Sequence, residues 1–201
     1  MSGLTWEDVS GGAGLRVTVP VTMGPDEAAR ELAPRLSALA GERAPASSHG
    51  EGARAQRAVP VVTIDGYSGS GKSTLAAALA RLVNGWQVLH LDDWYPGWDG
   101  LAEGADIARR IAADLREGRA SSYEAWDWDK GTTGATTRVP LVPTIIEGCG
   151  AIEAEAEADI AIWIADPGED ERRSRALARD GQTYAPHWRR WADQDLGRSI
   201  H

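Results

Sequence analysis

The residues with the clearest chemical pattern are Gly66-Tyr67-Ser68-Gly69-Ser70-Gly71-Lys72-Ser73-Thr74. Their spacing is G-x-x-x-x-G-K-[ST], that of a phosphate-cradling P-loop. Gly66, Gly69 and Gly71 permit backbone angles that a Cβ would forbid, so successive N–H groups can turn inward toward an anion. Gly66, Ser68, Gly69, Ser70, Gly71, Lys72, Ser73 and Thr74 are therefore expected to hold the phosphates of a nucleoside triphosphate at a helix N-terminus. In such a loop Lys72 reaches the β- and γ-phosphates and the Ser73 hydroxyl ligates Mg²⁺.

A loop of this kind needs a strand before it and a helix after it. Val59 to Asp65 is an apolar, β-branched run that reads as a buried strand, and Ser73 to Leu82 is rich in helix formers, with leucines at 75, 79 and 82. Three further groups could serve the same chemistry. Asp92 and Asp93 follow the apolar run Trp86–Leu91, where a carboxylate can accept the proton of an attacking hydroxyl or cap the next turn. Glu147 closes Thr144-Ile145-Ile146 ahead of Gly148, an arrangement that offers a carboxylate to Mg²⁺. Arg172, Arg175 and Arg179 recur on one helix face. Their guanidinium forks suit phosphate oxygens, although Glu169, Asp170 and Glu171 could equally pair with them.

Tyr123-Glu124-Ala125-Trp126-Asp127-Trp128-Asp129 mixes aromatics with carboxylates between loops. Tyr123 and Trp126 could wall a ligand site or cover a core edge, and Asp127 or Asp129 could bind hydroxyls. Trp188, Trp191 and Asp195 share a helix face that reads as packing. His90 and His187 have no metal-ligand spacing and read as ordinary residues.

In chain order, residues 1–14 are Gly-rich and expected to be loose, and Leu15–Val21 alternates as a strand that Pro20 would confine to a sheet edge. Pro25–Ala40 reads as an amphipathic helix kinked before Pro34, and 41–57 as a flexible linker. From Val59 onward strand and helix alternate: helix about Ala105–Glu117 stopped by Gly118, strands at Val142–Gly148 and Asp159–Ala165, helices near 168–180 and 186–196. The pattern predicts an α/β chain with a parallel sheet covered by helices, with residues 1–58 an N-terminal extension and 59–201 the phosphate-binding domain.

Composition narrows the partners. Lys+Arg number 21 against 30 Asp+Glu, a net charge of −9, which argues against a nucleic-acid or anionic-membrane surface. The lone Cys149 excludes an intramolecular disulfide and a thiolate zinc cluster. There is no apolar run of about 18 residues and no basic leader followed by an apolar stretch, so a cytoplasmic protein is expected. Nine Trp with no Phe is unusual. A homodimer is compatible with all of this.

Together these residues resemble the uridine kinase–phosphoribulokinase group of P-loop phosphotransferases. Ile64 to Thr74 looks like that group's opening motif, Leu91-Asp92-Asp93-Trp94-Tyr95 is similar to its D-[SD]-F-Y strand end, and Ile145-Ile146-Glu147-Gly148 to its E-G strand end. Arg172-x-x-Arg175-x-x-x-Arg179-Asp180 is similar to its lid helix. The combination, including Tyr184-Ala185-Pro186-His187-Trp188, also looks like small actinobacterial proteins labelled as ATP-binding or uridine-kinase-like. The resemblance implies a three-layer αβα P-loop fold with an Arg-bearing lid and a Mg²⁺- and ATP-dependent kinase acting on a small-molecule hydroxyl. Asp92 would be the base, Glu147 and Ser73 would serve the metal, and Arg172, Arg175 and Arg179 would serve the nucleotide and the transferring phosphoryl group. Asp93, Tyr95, Tyr123, Trp126 and Asp127 would lie at the acceptor. Nucleoside-monophosphate or sugar-acid kinases, and a regulatory ATPase or ATP-binding module, are alternatives.

Three departures stand out. Trp94 replaces the group's Phe, Tyr123 is not followed by a His in an H-x-R setting, and the group's strand after the lid helices has no counterpart. The sheet would then have four core strands, or take Leu15–Val21 in the open place, or be a truncated fold.

Overall fold

The computed structural model of the chain describes residues 3–9, 14–42 and 58–198. Its strands are β1 (Thr5–Asp8), β2 (Leu15–Val19), β3 (Val61–Asp65), β4 (Gln87–His90), β5 (Ser121–Asp127), β6 (Thr132–Val139), β7 (Thr144–Glu147) and β8 (Ile160–Ile164). Its helices are α1 (Pro25–Glu42), α2 (Lys72–Leu82), α3 (Leu101–Arg116), α4 (Glu169–Tyr184) and α5 (Trp188–Leu196). Six strands form one sheet in the order β1-β2-β8-β3-β7-β4, parallel except for the antiparallel β1. β5 and β6 form a separate hairpin.

Alternation along the strands builds a core on each face of the sheet. Val62, Ile64, Ile145, Ile160 and Ile162 face α1 and α2, meeting Leu32, Leu36, Leu75 and Leu79. Val61 and Ile146 face the other way, meeting Ile111 and Leu115 of α3 and, further along, Trp191 of α5. The result is the three-layer αβα sandwich of the P-loop fold, with an arginine-bearing helix, α4, over its carboxyl end.

The open place beside β8 is taken from the N-terminal side of the chain: β2 pairs with it in parallel, Leu15 opposite Ile160 and Val19 opposite Ile164. Two expectations change as a consequence. β2 is not an edge, because β1 covers its outer side within the stretch expected to be loose, and Pro20 lies just past the strand, where its missing N–H interrupts no ladder bond. α1 continues through Pro34, which with Arg30 sits on the exposed side, so the carbonyl that Pro34 leaves unpaired can reach water. Of the expected linker, Gly41 and Glu42 close α1; residues 43–57 lie outside the described residues.

α3 starts four residues earlier than expected, with Gly104 in its first turns. That glycine is required by contact: a Cβ there would run into the ring of Tyr95. α4 continues to Tyr184 across a break at Gly181, whose φ of 56° and ψ of −132° are not helical. The aromatic and acidic segment at 121–127 is a strand rather than a loop. Its partner, Thr132–Val139, is too uniformly polar and exposed to announce itself by alternation. No helix among the described residues is long and apolar enough to cross a membrane.

Because Leu36 of α1 is fully buried in the core shared with β3 and α2, Leu36→Ala is expected to cost about 2–5 kcal/mol. Thermal unfolding should remain one transition at a lower temperature, with no separate melting of the N-terminal segment.

Candidate active site

The sheet register decides which side chains meet. β7 lies between β3 and β4, pairing Ile64 and His90 with Glu147. The carboxyl ends of the three strands are thereby level, and the phosphate loop, the turn holding Asp92 and Asp93, and Glu147 open on one side. A cavity of about 1140 Å³ lies there. Its walls include Gly69, Gly71, Lys72, Ser73 and Thr74 of the loop and α2, with Asp92 and Glu147 beside them and Arg175 and Arg179 of α4.

The loop has the backbone its glycines imply. Gly69 and Gly71 have φ of 81° and 106°, a region that other residues rarely occupy. A Cβ at Gly69 would strike the carbonyl of Arg172, so the start of α4 can rest directly on the loop. Lys72 Nζ donates to the carbonyl oxygens of Gly66 (2.7 Å) and Tyr67 (3.2 Å) and lies 3.2 Å from the Cys149 sulfur. Burial works against its charge, yet the surrounding groups, among them the carboxylates of Asp195, Asp65 and Glu147, outweigh burial and hold its pKa above the ordinary value. Burial pushes the Cys149 thiol up to about 12, with Asp195 adding to the shift, so it is a buried neutral group rather than a nucleophile.

Asp92 is open to the lumen but enclosed by the cavity walls. That enclosure, and then the neighbouring Glu147, raise its pKa. Glu147 is buried and bonds His90 Nδ1 at 2.6 Å. This pairing, followed by the fields of Asp93 and Asp92, raises the pKa of His90 against the effect of burial. His90 is thus no ordinary residue: it orients the acid at the end of β7. The pairing across adjacent strands could not be read from a histidine 57 residues away in sequence.

The expected site residues divide into two groups. Lys72, Ser73, Thr74, Gly69, Gly71, Ser68, Asp92, Tyr95, Glu147, Arg175 and Arg179 line the cavity. Gly66 and Ser70 sit behind the loop, where a Cβ at Gly66 would press on Ser70 Oγ and the carbonyl of Ile164. Arg172 turns away from the cavity. It is buried, donates to Asp166 at 2.8 Å and to the Ser68 carbonyl at 3.3 Å, and lies against the rings of Tyr67 and Trp188. Spacing put the three arginines on one face, but the first turn of α4 is packed on the loop while the later turns overhang the cavity.

The acceptor residues expected from the hairpin are likewise placed elsewhere. Tyr123 is buried against Trp94, and burial, followed by the nearby charge of Asp93, raises its pKa; neither residue lines the cavity. Asp127 accepts from the amide and ammonium of Lys130 and closes the hairpin turn. Trp126 lies near Gly97 and does not line the cavity. Tyr95 lines it, but its hydroxyl donates to the Cys149 carbonyl at 2.6 Å.

In their place stands an aromatic wall that sequence reading missed. Trp98 stacks on His187 (4.3 Å between centroids, 10° between planes) and on Tyr184, and meets Trp128 at 4.8 Å. The Trp128 indole N–H donates to the Asp92 carbonyl at 2.8 Å, so the wall begins at the carboxylate turn. The signals were present in Trp98, shortly after Asp92-Asp93, and in the Tyr184–Trp188 segment, but nothing local joined them.

The fold and the loop define the P-loop class of α/β architecture. No protein-family model matches the chain, and no curated protein matches it. Among solved structures, it is similar to a "possible uridine kinase" from Bacillus stearothermophilus, with 19% identity, a TM-score of 0.46, and coverage of 83% of this chain and 92% of that one. It is also similar to a "putative fructose transport system kinase" from Silicibacter sp. TM1040, with 22% identity, a TM-score of 0.48, and coverage of 78% and 86%. At those identities and TM-scores neither likeness bears on what this chain does.

The His90–Glu147 pair has a pH consequence. The folded-state pKa of His90 is raised, so the pair's contribution is fully present below the unfolded value of about 6.5 and is lost as pH rises through the folded value. The melting temperature of the protein, referenced to His90→Gln, is expected to fall across that window. Parallel curves for the two proteins would show that the pair is not formed.

Proposed function

We propose that this chain is an ATP- and Mg²⁺-dependent phosphotransferase acting on a hydroxyl of a small molecule, in the manner of a nucleoside kinase. One observation carries the reading: the phosphate loop with Lys72 and Ser73, the raised-pKa carboxylate of Asp92 and the two α4 arginines line a single cavity. Lys72 would exchange the Gly66 and Tyr67 carbonyls for phosphate oxygens. Asp92, poised nearer neutrality than an ordinary carboxylate, would accept the acceptor's proton as its oxygen bonds the γ-phosphorus and ADP departs. Arg175 and Arg179 would close over the charge that develops, from a helix bounded by Gly168 (φ 101°) and broken at Gly181.

The residues fit Mg²⁺. The Ser73 hydroxyl and the Glu147 carboxylate, both on the cavity wall, are oxygen donors suited to a hard cation. Among the described residues no three acidic, His or Cys groups gather as a metal cluster, so the other ligands would be phosphate oxygens and water. When bound, the ion supplies charge neutralisation at the β- and γ-phosphates.

The wall beyond Asp92 supports a ring-bearing acceptor over an anionic one. The cavity's cations are Lys72 on the loop and Arg175 and Arg179 on α4, while the face next to Asp92 is Trp98, Trp128, His187 and Asp129. An acceptor phosphate or carboxylate would meet Asp92 and Asp129 there. This favours a nucleoside over a nucleoside monophosphate or sugar acid.

The test is ATP consumption by the full chain with Mg²⁺ across nucleosides, nucleoside monophosphates, sugars and sugar acids, with the product identified by mass. Stimulation by one acceptor is expected. ATP hydrolysis indifferent to every acceptor would replace the kinase with a regulatory ATPase. With that acceptor, Lys72→Ala is expected to abolish transfer. Asp92→Asn should lower kcat by about 10²–10⁴-fold with little change in ATP affinity. Unchanged turnover in Asp92→Asn would remove it as the base.

A further inference from the structure

Beneath the phosphate loop, on the side away from the cavity, lies a cluster of buried charges that the proposed chemistry does not use. Asp65 at the end of β3 and Asp195 on α5 are both fully buried. Arg198, just past α5, has a side chain only 6% exposed and donates to both: 2.6 Å to Asp65 Oδ2 and 2.6 Å to Asp195 Oδ1. Each carboxylate also holds the loop. Asp65 Oδ1 accepts from the Gly66 amide at 2.6 Å, and Asp195 Oδ2 accepts from the Ser68 amide at 2.7 Å. Lys72 approaches the same cluster through Cys149, whose sulfur lies 3.2 Å from Lys72 Nζ and 3.5 Å from Asp195 Oδ2.

Two buried carboxylates therefore stand against two cations, Arg198 and Lys72. Burying a charge without a partner is expensive, and the penalty falls on whatever counter-ion remains. Without Arg198, the two aspartates, whose charges already act on Lys72, would draw its ammonium beneath the loop.

We propose that Arg198 and Asp195 are positioning residues for the phosphate loop. α5 clamps the loop from below through the Ser68 amide. Arg198 neutralises the aspartate pair, which leaves the Lys72 ammonium for a phosphate. This role rests on the reading that the loop binds ATP.

The test uses the full chain, with ATP·Mg²⁺ affinity from titration calorimetry and folding from thermal melting. Arg198→Met is expected to weaken ATP binding by tenfold or more, and Arg198→Lys to recover part of that loss. The double variant Asp195→Asn/Arg198→Met removes one charge of each sign and keeps an oxygen acceptor for the Ser68 amide. It should bind ATP better than Arg198→Met and melt at a higher temperature, or fold where Arg198→Met does not. A double variant that fails to fold, or folds and binds no better than the single one, overturns the charge-balancing role. A wild type that binds ATP while Arg198→Met binds equally well removes this role alone. A wild type that binds no ATP removes the function proposed above and this role with it.

Discussion

The carboxylate of Asp65 is the contact on which the loop end of the molecule depends. It is fully buried, yet it accepts from the amides of Gly66, Gly150 and Ile152 and from the guanidinium of Arg198. Those donors belong to the phosphate loop, the turn after β7 and the segment closing α5, three pieces of chain that meet at this one carboxylate. A buried carboxylate survives only when its lone pairs are filled, and here the filling groups are the backbone that must be held still. Hydrogen bonds to a charged group contribute about 1.5–3 kcal/mol each, and more is lost when the acceptor is removed and the donors stay buried. Local rigidity under the loop thus follows from a single strand-end residue.

The parallel sheet turns this anchor into a site. With β7 between β3 and β4, one level end presents the loop, the Asp92 turn and Glu147 together, and the crossover helices leave that end open. His90 lies in register with Glu147 and takes one of its oxygens, which sets the direction of the acid. The roof is built separately. α4 begins on the loop, with Arg172 wedged between Tyr67 and Trp188, and ends beyond Gly181 with Tyr184 bonded to Ser68. One arginine of the helical triplet is thereby spent on docking the helix, and the remaining two face the cavity.

The abundance of tryptophan has a place in this arrangement. Trp98, Trp128, Trp188 and Trp191 come from the loop after the Asp92 turn, the hairpin turn and α5, and pack around Tyr184, His187 and Arg172. Aromatic pairs at these separations add to the stability of a wall while leaving ring faces as recognition surface. Trp98, Trp128 and Trp191 border the cavity, while Trp188 and Trp191 belong to α5, so the cavity wall and the helix beneath the loop share one aromatic cluster.

What the sequence determined by itself was local. The glycine spacing from Gly66 to Lys72, the buried strand before it and the helix after it are consequences of φ preferences and periodicity over a dozen residues, and Asp92 and Glu147 follow as strand ends. The expected start of α3 at Ala105 fell four residues late, past Gly104, whose missing side chain makes room for the Tyr95 ring, and Thr132–Val139 was silent because its residues as far as Arg138 are small or polar and face solvent or are half-buried. Only the tertiary structure decided the placement of β2 beside β8, the turning of Arg172 away from the cavity, the His90–Glu147 pair and the Arg198 bridge, whose partner Asp65 is 133 residues distant. Each of these depends on which strands are neighbours and in what register. That is a property of how the two hydrophobic faces of the sheet are covered, and no window of the chain contains it.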